Sequence, residues 1–317
     1  MIRAEVTRET WPLARPFEVA REVQTEVPMI RVRLRDDAGH AGQAEAVGID
    51  YDGETPAGMA AQITALGGEI TRAAIDALPA GGARNALDCA WWDLLAKRDG
   101  GPLCDGLAPV ETCYTVGLGT RKAMQEAAAL SREHALVKIK VDRTRHLDAV
   151  YWVRQVRPAA RIVIDANEGW DLPLLERILP ELAALGVEMV EQPLPRGEDA
   201  ALAGISSPIP LCADESCTDR ASLPALLGRY QAINIKLDKT GGLTEALALA
   251  EAARAAGLDL MVGNMCGTSL GMAPAFVVAQ QARWADLDGP LLFSRDREVR
   301  MQFEGGFALP PPPELWG

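Results

Sequence analysis

The sequence predicts an α/β protein: a closed barrel of parallel strands preceded by a smaller α+β unit. From about residue 113 onward, short apolar runs typical of buried strands alternate with Ala-, Leu- and Glu-rich stretches that have helical spacing. The repeat distance is roughly 25 residues. Eight strands that alternate with helices pair in parallel, and a parallel sheet of eight strands can close into a barrel.

The eight strand-like runs can be read directly from the sequence. They are "CYTVGLG" (113–119), "LVKIKVD" (136–142), "RIVIDAN" (161–167), "VEMVEQP" (187–193), "PLCADES" (210–216), "AINIKLD" (232–238), "DLMVGNM" (259–265) and "WADLDGP" (284–290). The stretch "TEALALAEAARAAG" (244–257) is typical of the helices between them, since it ends on a glycine suited to a helix C-terminus. We therefore predict a barrel domain over residues 111–292.

The first 110 residues follow another pattern, which predicts a separate α+β domain. The segment 26–46 indicates two antiparallel strands joined by a turn at Asp36-Asp37-Ala38-Gly39. The segment 83–100 predicts an amphipathic helix. The last residues, 293–317, end in "LPPPPELWG", which cannot continue a helix and is expected to run back over the surface to the first domain.

Composition and charge exclude several classes of function. A net charge of −12 argues against nucleic acid as a partner, because phosphate binding needs clustered Lys and Arg. No apolar run reaches the length of a membrane span, and the charged N-terminus does not resemble a signal peptide. The six cysteines form no C-x-x-C pair, which favours free thiols and a cytoplasmic location. None of the three histidines ends a predicted strand, so we expect neither histidine catalysis nor zinc.

Three acidic residues end successive strands and form the first candidate site. Asp165, Glu191 and Asp214 follow the third, fourth and fifth runs, so their carboxylates should converge at the active-site end of the barrel. Three carboxylates suit Mg²⁺, with Mn²⁺ as the alternative metal. A second interpretation is that each acid caps the helix after its strand.

Two lysines form the second candidate pair. Lys140 on the second strand and Lys236 on the sixth lie on opposite sides of an eight-stranded barrel, so a substrate between them would present one face to each. Lys236 is preferred to Lys239 because it shares a strand face with Asn234. Lys138, two residues before Lys140, should lower the pKa of Lys140 and help it act as a base. The alternative is that the lysines are only ion-pair partners of the acids.

The motifs "KIK" (138–140), "DAN" (165–167), "VEQP" (190–193), "ADES" (213–216) and "NIKLDKTGG" (234–242) resemble the muconate-lactonizing enzyme subgroup of the enolase superfamily. "PLARPFEVAR" (12–21) and "CAWWDLLAK" (89–97) are similar to the capping domain of that family. The resemblance implies a modified TIM barrel, (β/α)7β, with an N-terminal α+β capping domain. It also implies Mg²⁺ on the three acids, Lys140 and Lys236 as the acid/base pair, and Lys138 assisting.

The eighth strand distinguishes between members of this family. Asp286 and Asp288 lie on one face of the strand, and like charges so close together call for a cation. The pattern D-x-D at this position resembles the dipeptide epimerases, in which the pair holds the α-ammonium of the substrate. The alternatives are that the pair caps the last turn or bridges an arginine such as Arg295.

The resemblance therefore predicts an isomerase: a Mg²⁺-dependent dipeptide epimerase of cell-wall peptide metabolism, with L-Ala-D/L-Glu as the expected substrate. Arg21 is the expected partner of the glutamate side chain, although it fits a surface position equally well, and Tyr51 is the expected pocket wall. Asn167, Asn234 and Glu215 lie at the same rim of the barrel. Alternatives are an N-acylamino acid racemase, an o-succinylbenzoate synthase or a non-catalytic carboxylate-binding protein. Assembly into a homo-oligomer is possible.

Overall fold

The computed structural model describes residues 1–18 and 23–317, and within these ranges it contains an eight-stranded parallel sheet and two small antiparallel sheets. The strands are β1 (Arg3–Glu18), β2 (Val23–Arg35), β3 (Ala41–Ala46), β4 (Val110–Glu111), β5 (Tyr114–Val116), β6 (Leu136–Lys140), β7 (Arg161–Asp165), β8 (Val187–Glu191), β9 (Leu211–Ala213), β10 (Ala232–Ile235), β11 (Asp259–Val262), β12 (Trp284–Ala285), β13 (Phe303–Glu304) and β14 (Phe307–Ala308). Predicted strands at all eight positions of the barrel are confirmed.

Helices separate most of the barrel strands and also cover the first sheet. They are α1 (Pro56–Leu66), α2 (Arg72–Asp76), α3 (Gly82–Asp99), α4 (Arg121–Leu130), α5 (Leu147–Val156), α6 (Leu172–Ala184), α7 (Leu223–Leu226), α8 (Leu237–Thr240), α9 (Leu243–Ala255), α10 (Ser269–Ala279) and α11 (Gly289–Leu292). Short 3₁₀ turns span Asp50–Asp52 and Asp199–Gly204. In the described residues, no helix is both long enough and apolar enough to traverse a lipid bilayer.

The parallel sheet runs in sequence order from β5 to β12, and its two edge strands meet. The backbone N–H of Cys113, next to β5, donates a hydrogen bond to the carbonyl oxygen of Ala285 in β12 at 2.8 Å. This contact closes the sheet into a barrel. The predicted α/β barrel with an α+β cap is therefore confirmed.

The cap is the antiparallel sheet β1-β2-β3 with helix α3 packed on it. The predicted turn between β2 and β3 is confirmed: Asp36 Oδ1 accepts hydrogen bonds from the N–H groups of Ala38 and His40, at 3.0 and 2.9 Å. Helix α3 packs so closely on β3 that a side chain at Gly42 has no room: a Cβ there would lie 2.2 Å from the backbone nitrogen of Leu94. Strand β1 was not predicted, since it is an edge strand in which few side chains are fully buried.

The C-terminal segment returns to the cap as expected, but its last residues are buried instead of lying on the surface. Trp316 is fully buried, and its indole N–H donates to the carbonyl oxygen of Cys89 in α3 at 2.9 Å. The backbone N–H of Gly317 donates to Asp93 Oδ1 at 2.7 Å. The proline run does prevent a helix. The apolar side chains of Leu315 and Trp316, which follow it, are buried in the cap because removing their surface from water lowers the free energy of the folded state.

Candidate active site

Three predicted metal ligands meet at the carboxyl ends of their strands. Asp165 and Glu191 are the last residues of β7 and β8, and Asp214 follows β9 directly. One oxygen of each carboxylate lies within 4.8 Å of the others, and all three side chains are fully buried. None of the three occupies the N-terminal cap of a helix; the helix after β7, for example, is capped by Asp171. The helix-capping alternative is therefore wrong.

The chemistry of this cluster fits a hard divalent cation. Burial, and then repulsion from Asp165 close by, raises the pKa of Glu191 to about 8, and adjacent buried carboxylates of this kind are stabilised by a positive charge. Among the described residues, no hydrogen bond reaches the buried Oδ1 of Asn234, which lies beside Glu191, and the near partner of Glu191 Oε2 is a cation, the ammonium of Lys138, at 2.8 Å. The carboxylate oxygens therefore already attract positive charge, and Asn234 Oδ1 keeps unused bonding capacity, as a site for a hard cation requires.

The two lysines predicted as the acid/base pair lie on either side of the acids. Lys140 Nζ is 2.6 Å from Asp165 Oδ2, and Lys236 Nζ is 2.6 Å from Asp214 Oδ2. Lys140 ends β6 and Lys236 directly follows β10, and these strands are separated by β7, β8 and β9, so the two amines approach from opposite sides of the barrel. The lysines are thus ion-pair partners of the acids, as the alternative interpretation expected. The same ion pairs also hold both amines at the wall of one cavity.

Lys138 has partners that its position in the sequence did not reveal. Its Nζ lies 2.8 Å from Glu191 Oε2, 3.2 Å from Asp165 Oδ2 and 2.9 Å from Asp286 Oδ2, and the side chain is 1% exposed. Burial opposes its charge, but these carboxylates outweigh burial and raise the pKa of Lys138. Its charge is therefore compensated locally, and its expected influence on Lys140 stays a prediction.

Asp286 and Asp288 lie at the same end of the barrel, after β12. Thr115 donates to Asp288 through its backbone N–H at 2.5 Å and its hydroxyl at 3.2 Å. Burial holds the pKa of Asp288 well above its usual range, and the neighbouring Asp286 raises it further. The pKa of Asp286 is lowered instead, because the attraction of Lys138 outweighs the effect of burial. Asp288 caps no helix through its side chain, and Arg295 instead stacks on Trp11. The capping alternative is therefore wrong, and no arginine of the described residues bridges the pair.

A cavity of about 650 Å³ lies between the cap and this end of the barrel. Its wall includes Lys138, Lys140, Lys236, Asn167, Glu215, Asp286, Asp288 and Tyr51. The amide of Asn167 accepts from Lys140 Nζ at 3.0 Å and donates to Glu215 Oε1 at 3.3 Å, and Asn234 donates to Glu191 Oε1 at 2.6 Å. Arg21, the predicted partner of a glutamate side chain, lies outside the described residues.

Two residues of the site were not predicted. Lys239 is 1% exposed, and its Nζ donates to Asp214 Oδ1 and to the Asp214 carbonyl, both at 2.5 Å, and to the Asn234 carbonyl at 3.0 Å. Gln192, with a positive φ of 34°, accepts hydrogen bonds from the backbone N–H groups of Asp214 and Ser216. Positive φ in a non-glycine residue is a strained conformation that concentrates at functional sites. Both side chains fix the orientation of Asp214.

The chain matches two known domain models over most of its length. Residues 1–107 match the mandelate racemase / muconate lactonizing enzyme N-terminal domain, and residues 121–312 match the enolase C-terminal domain-like family.

Individual relatives agree with these matches. The L-Ala-D/L-Glu epimerase of Escherichia coli (strain K12) is 42% identical over 318 residues, which cover 96% of this chain and 99% of the relative. An N-acetyl-D-glutamate racemase of Pseudoalteromonas sp is 47% identical over 247 residues, 77% of this chain and 78% of the relative.

A solved structure of an enolase family member from Agrobacterium tumefaciens, with homology to dipeptide epimerases and with bound sodium and L-Ala-L-Glu, superposes with a TM-score of 0.94. It is 40% identical, and the match covers 100% of both chains. These matches agree with the cap, with the barrel and with the cluster of carboxylates and lysines at the barrel rim. The chain therefore belongs to the enolase superfamily, and both of its domains are of the mandelate racemase / muconate lactonizing enzyme type.

Proposed function

We propose that this chain is an isomerase, a Mg²⁺-dependent dipeptide epimerase that inverts the Cα of the C-terminal residue of L-Ala-D/L-Glu. The observation that carries the proposal is the placement of Lys140 and Lys236 on opposite sides of a cluster of three buried carboxylates. A substrate carbon held between two amines can lose a proton to one of them and receive a proton from the other on its opposite face. Such a transfer inverts the carbon.

The three acids account for the metal in this proposal. Asp165, Glu191 and Asp214 would hold Mg²⁺, which when bound stabilises the negative charge that develops on the substrate carboxylate. Mn²⁺ satisfies the same set of oxygen ligands, and Mg²⁺ is preferred because of the family to which the chain belongs.

Each of the remaining site residues has a task in the proton transfer. Asn167 orients Lys140 through the 3.0 Å hydrogen bond to its Nζ. Asp214 orients Lys236 through a 2.6 Å contact. Proton removal from the L epimer is assigned to one lysine and from the D epimer to the other, so both are needed for epimerisation. Lys138, which bridges two of the acids and Asp286, would compensate the negative charge that collects there.

Asp286 and Asp288 are the proposed partners of the α-ammonium of the dipeptide, and Arg21 remains the proposed partner of the glutamate side chain. Both aspartates face the cavity, directly after β12, the strand next to β5. A dipeptide places its ammonium one residue away from the carbon that reacts, which explains why a second acidic site is useful. We further propose that the substrate derives from cell-wall peptide and that the enzyme works in the cytoplasm.

A second candidate is racemisation of an N-acylated amino acid such as N-acetylglutamate. It is favoured by the 47% identical racemase and by the ion pair between Lys138 and Asp286, which already gives Asp286 a cationic partner. An acylated substrate has no ammonium and makes no demand on Asp286 or Asp288.

One experiment distinguishes the two. The protein is incubated with Mg²⁺ in D₂O with L-Ala-L-Glu, L-Ala-D-Glu or N-acetyl-L-glutamate, and mass spectrometry and chiral chromatography follow deuterium at Cα and inversion. The proposal expects exchange and inversion in both dipeptides, with a large loss in Asp286→Asn. Exchange confined to N-acetylglutamate and unchanged in Asp286→Asn would favour the second candidate, and no exchange in any of the three would refute both.

A further inference from the structure

The entrance of the cavity is bridged by a group of side chains from three separate loops. Arg196, in the loop after β8, makes a bidentate ion pair with Asp52 in the 3₁₀ turn Asp50–Asp52 of the cap, with N–O distances of 2.6 and 3.2 Å. Its guanidinium also lies 5.3 Å from the centre of the Tyr51 ring. The backbone N–H of Arg196 donates to Glu168 Oε1, in the loop after β7, at 2.7 Å. We call Asp52, Tyr51, Arg196 and Glu168 the entrance clamp.

The clamp joins Tyr51, which lines the substrate cavity, to Glu168, which is the chain neighbour of the lining residue Asn167. On the cap side it holds Tyr51, whose ring lines the cavity and whose pKa is raised by burial and then by the nearby Asp214. On the barrel side it holds Glu168, which has a positive φ of 65° and follows Asn167, the residue bonded to Lys140. Arg196 thus contacts one residue of the cavity wall, Tyr51, and reaches a second, Asn167, through Glu168, without lining the cavity itself.

We propose that Arg196 is a positioning residue that determines how tightly the cap closes over the bound dipeptide. The inference rests on the proposed function, since it assigns a role in that same site. Ion pairs at the surface are weak, but this one is bidentate and is joined by a cation–π contact to Tyr51. Loss of both interactions should make opening of the cap turn about 3- to 30-fold more favourable.

The expected kinetic consequence is specific. The clamp does not contact the reacting carbon, so its loss should weaken binding of the substrate and of the transition state equally. Such a change raises KM and leaves kcat unchanged. We therefore expect Arg196→Ala to raise KM for L-Ala-D/L-Glu about 3- to 30-fold, with kcat within twofold of wild type.

Amide hydrogen exchange supplies a readout that does not depend on activity. The N–H groups of Asp52, Gly53 and Glu54 bond within the cap turn, to Ile49 and Asp50, and they exchange when that turn opens. In Arg196→Ala these amides should exchange about 3- to 30-fold faster, whereas those of the distant helix α3 should not change. A charge swap, Arg196→Asp with Asp52→Arg, should recover part of the protection and part of the KM.

The control is another bidentate arginine–carboxylate pair elsewhere on the surface. Arg220 and Glu245 form a bidentate ion pair with both distances at 2.9 Å, away from the cavity wall. Arg220→Ala should leave KM and the exchange of residues 52–54 at wild-type values.

The inference is overturned if Arg196→Ala matches wild type in KM or in the exchange of residues 52–54, or if it lowers kcat with KM unchanged. If wild-type protein acts on no substrate, the proposed function fails, and amide exchange alone decides whether the clamp holds the turn.

Discussion

The two ends of the barrel are built from the same strands and have opposite chemistry. In β8, Met189 and Glu191 are two residues apart, so both side chains point to the same side of the sheet. Met189 belongs to a layer of apolar side chains that closes the amino-terminal end of the barrel; the layer consists of Cys113, Leu136, Val163, Met189, Cys212, Ala232, Met261 and Trp284. Glu191 belongs to the carboxylate and lysine cluster at the other end.

This contrast separates stability from function along a single strand. Close-packed apolar side chains at one end gain stability from burial, which fixes the strand positions. Buried charges at the other end cost desolvation, which their mutual ion pairs offset only in part. The charged end therefore depends on the apolar end for its geometry, and substitutions at the two ends should have different consequences.

The largest expected effect is the loss of activity on substitution at the charged end. Glu191→Gln keeps the shape of the side chain and removes one negative charge from the predicted metal site. Because metal stabilisation of the developing charge is worth several kcal/mol, kcat/KM should fall about 10³-fold or more. The free energy of unfolding should change little, because burial already disfavours ionisation of Glu191 and Lys138 keeps its ion pairs with Asp165 and Asp286. Steady-state kinetics and urea denaturation measure the two quantities.

The matched substitution is Met189→Ala in the same strand. Deleting a fully buried side chain should lower the free energy of unfolding by about 2–5 kcal/mol, because it leaves a cavity in the apolar layer. The kcat of the folded fraction should stay within a few-fold of wild type. Loss of activity without loss of stability in Met189→Ala would contradict the claim that the apolar end supplies stability. Loss of stability without loss of activity in Glu191→Gln would contradict the claim that the charged end supplies activity.

Much of this contrast could be predicted from the sequence. The barrel strands were recognisable as apolar runs of strand length, and the acids and lysines were recognisable because they follow such runs and match the motifs of a known family. Lys239 was missed for a geometric reason. Strand alternation assumes extended backbone, but the chain turns into helix α8 directly after Lys236, and that turn brings Lys239 under Asp214.

Other features could not be derived from local patterns. Strand β1 alternates apolar residues only in two short pieces, at Ala4 and Val6 and at Trp11 and Leu13, separated by the polar residues 7–10, and its length depends on pairing with β2. Burial of Trp316 depends on a groove beside α3 that forms only when the cap is folded. The entrance clamp joins residues more than 140 positions apart, and no local pattern marks Arg196 as different from any surface arginine.

A smaller effect is expected from the buried acid Asp238, which follows Lys236 at the charged end. Its Oδ1 accepts from the N–H of Gly48 at 2.9 Å, and burial raises its pKa to about 6 from 3.8. An acid whose pKa is raised on folding contributes its stability at low pH and loses it as pH rises through the folded value. Between about pH 4 and 7 this group should therefore cost stability, up to about 3 kcal/mol.

Asp238→Asn tests this pH dependence directly. The amide oxygen can still accept from Gly48, but it does not ionise, so the variant should be more stable than wild type at pH 7.5 by about 2–3 kcal/mol. The difference should shrink progressively toward pH 4. Urea denaturation at a series of pH values measures it, and taking the difference between the two proteins removes the contribution of all other titrating groups. A constant difference across this range would contradict the assignment.

The smallest of these effects concerns Lys239. It fixes Asp214 through two hydrogen bonds and is itself held by a third to the Asn234 carbonyl, and loss of a residue that orients a metal ligand typically weakens metal binding about 10- to 100-fold. Lys239→Met should show this loss in calorimetric titration with Mg²⁺ or Mn²⁺. Lys97→Met is the matched control, since Lys97 pairs with the buried Asp93 in the cap at 2.8 Å. Equal metal affinities in the two variants would show that Lys239 has no special role at the site.

The central claim is that Lys140 and Lys236 serve opposite faces of one carbon, and deuterium exchange in variants with one lysine removed tests it most directly. Lys140→Ala and Lys236→Ala are each incubated in D₂O with L-Ala-L-Glu and, separately, with L-Ala-D-Glu. Each variant should lose epimerisation but still exchange the Cα proton of one epimer, and the two variants should act on opposite epimers. Exchange of the same epimer by both variants, or epimerisation by either one, would contradict the account.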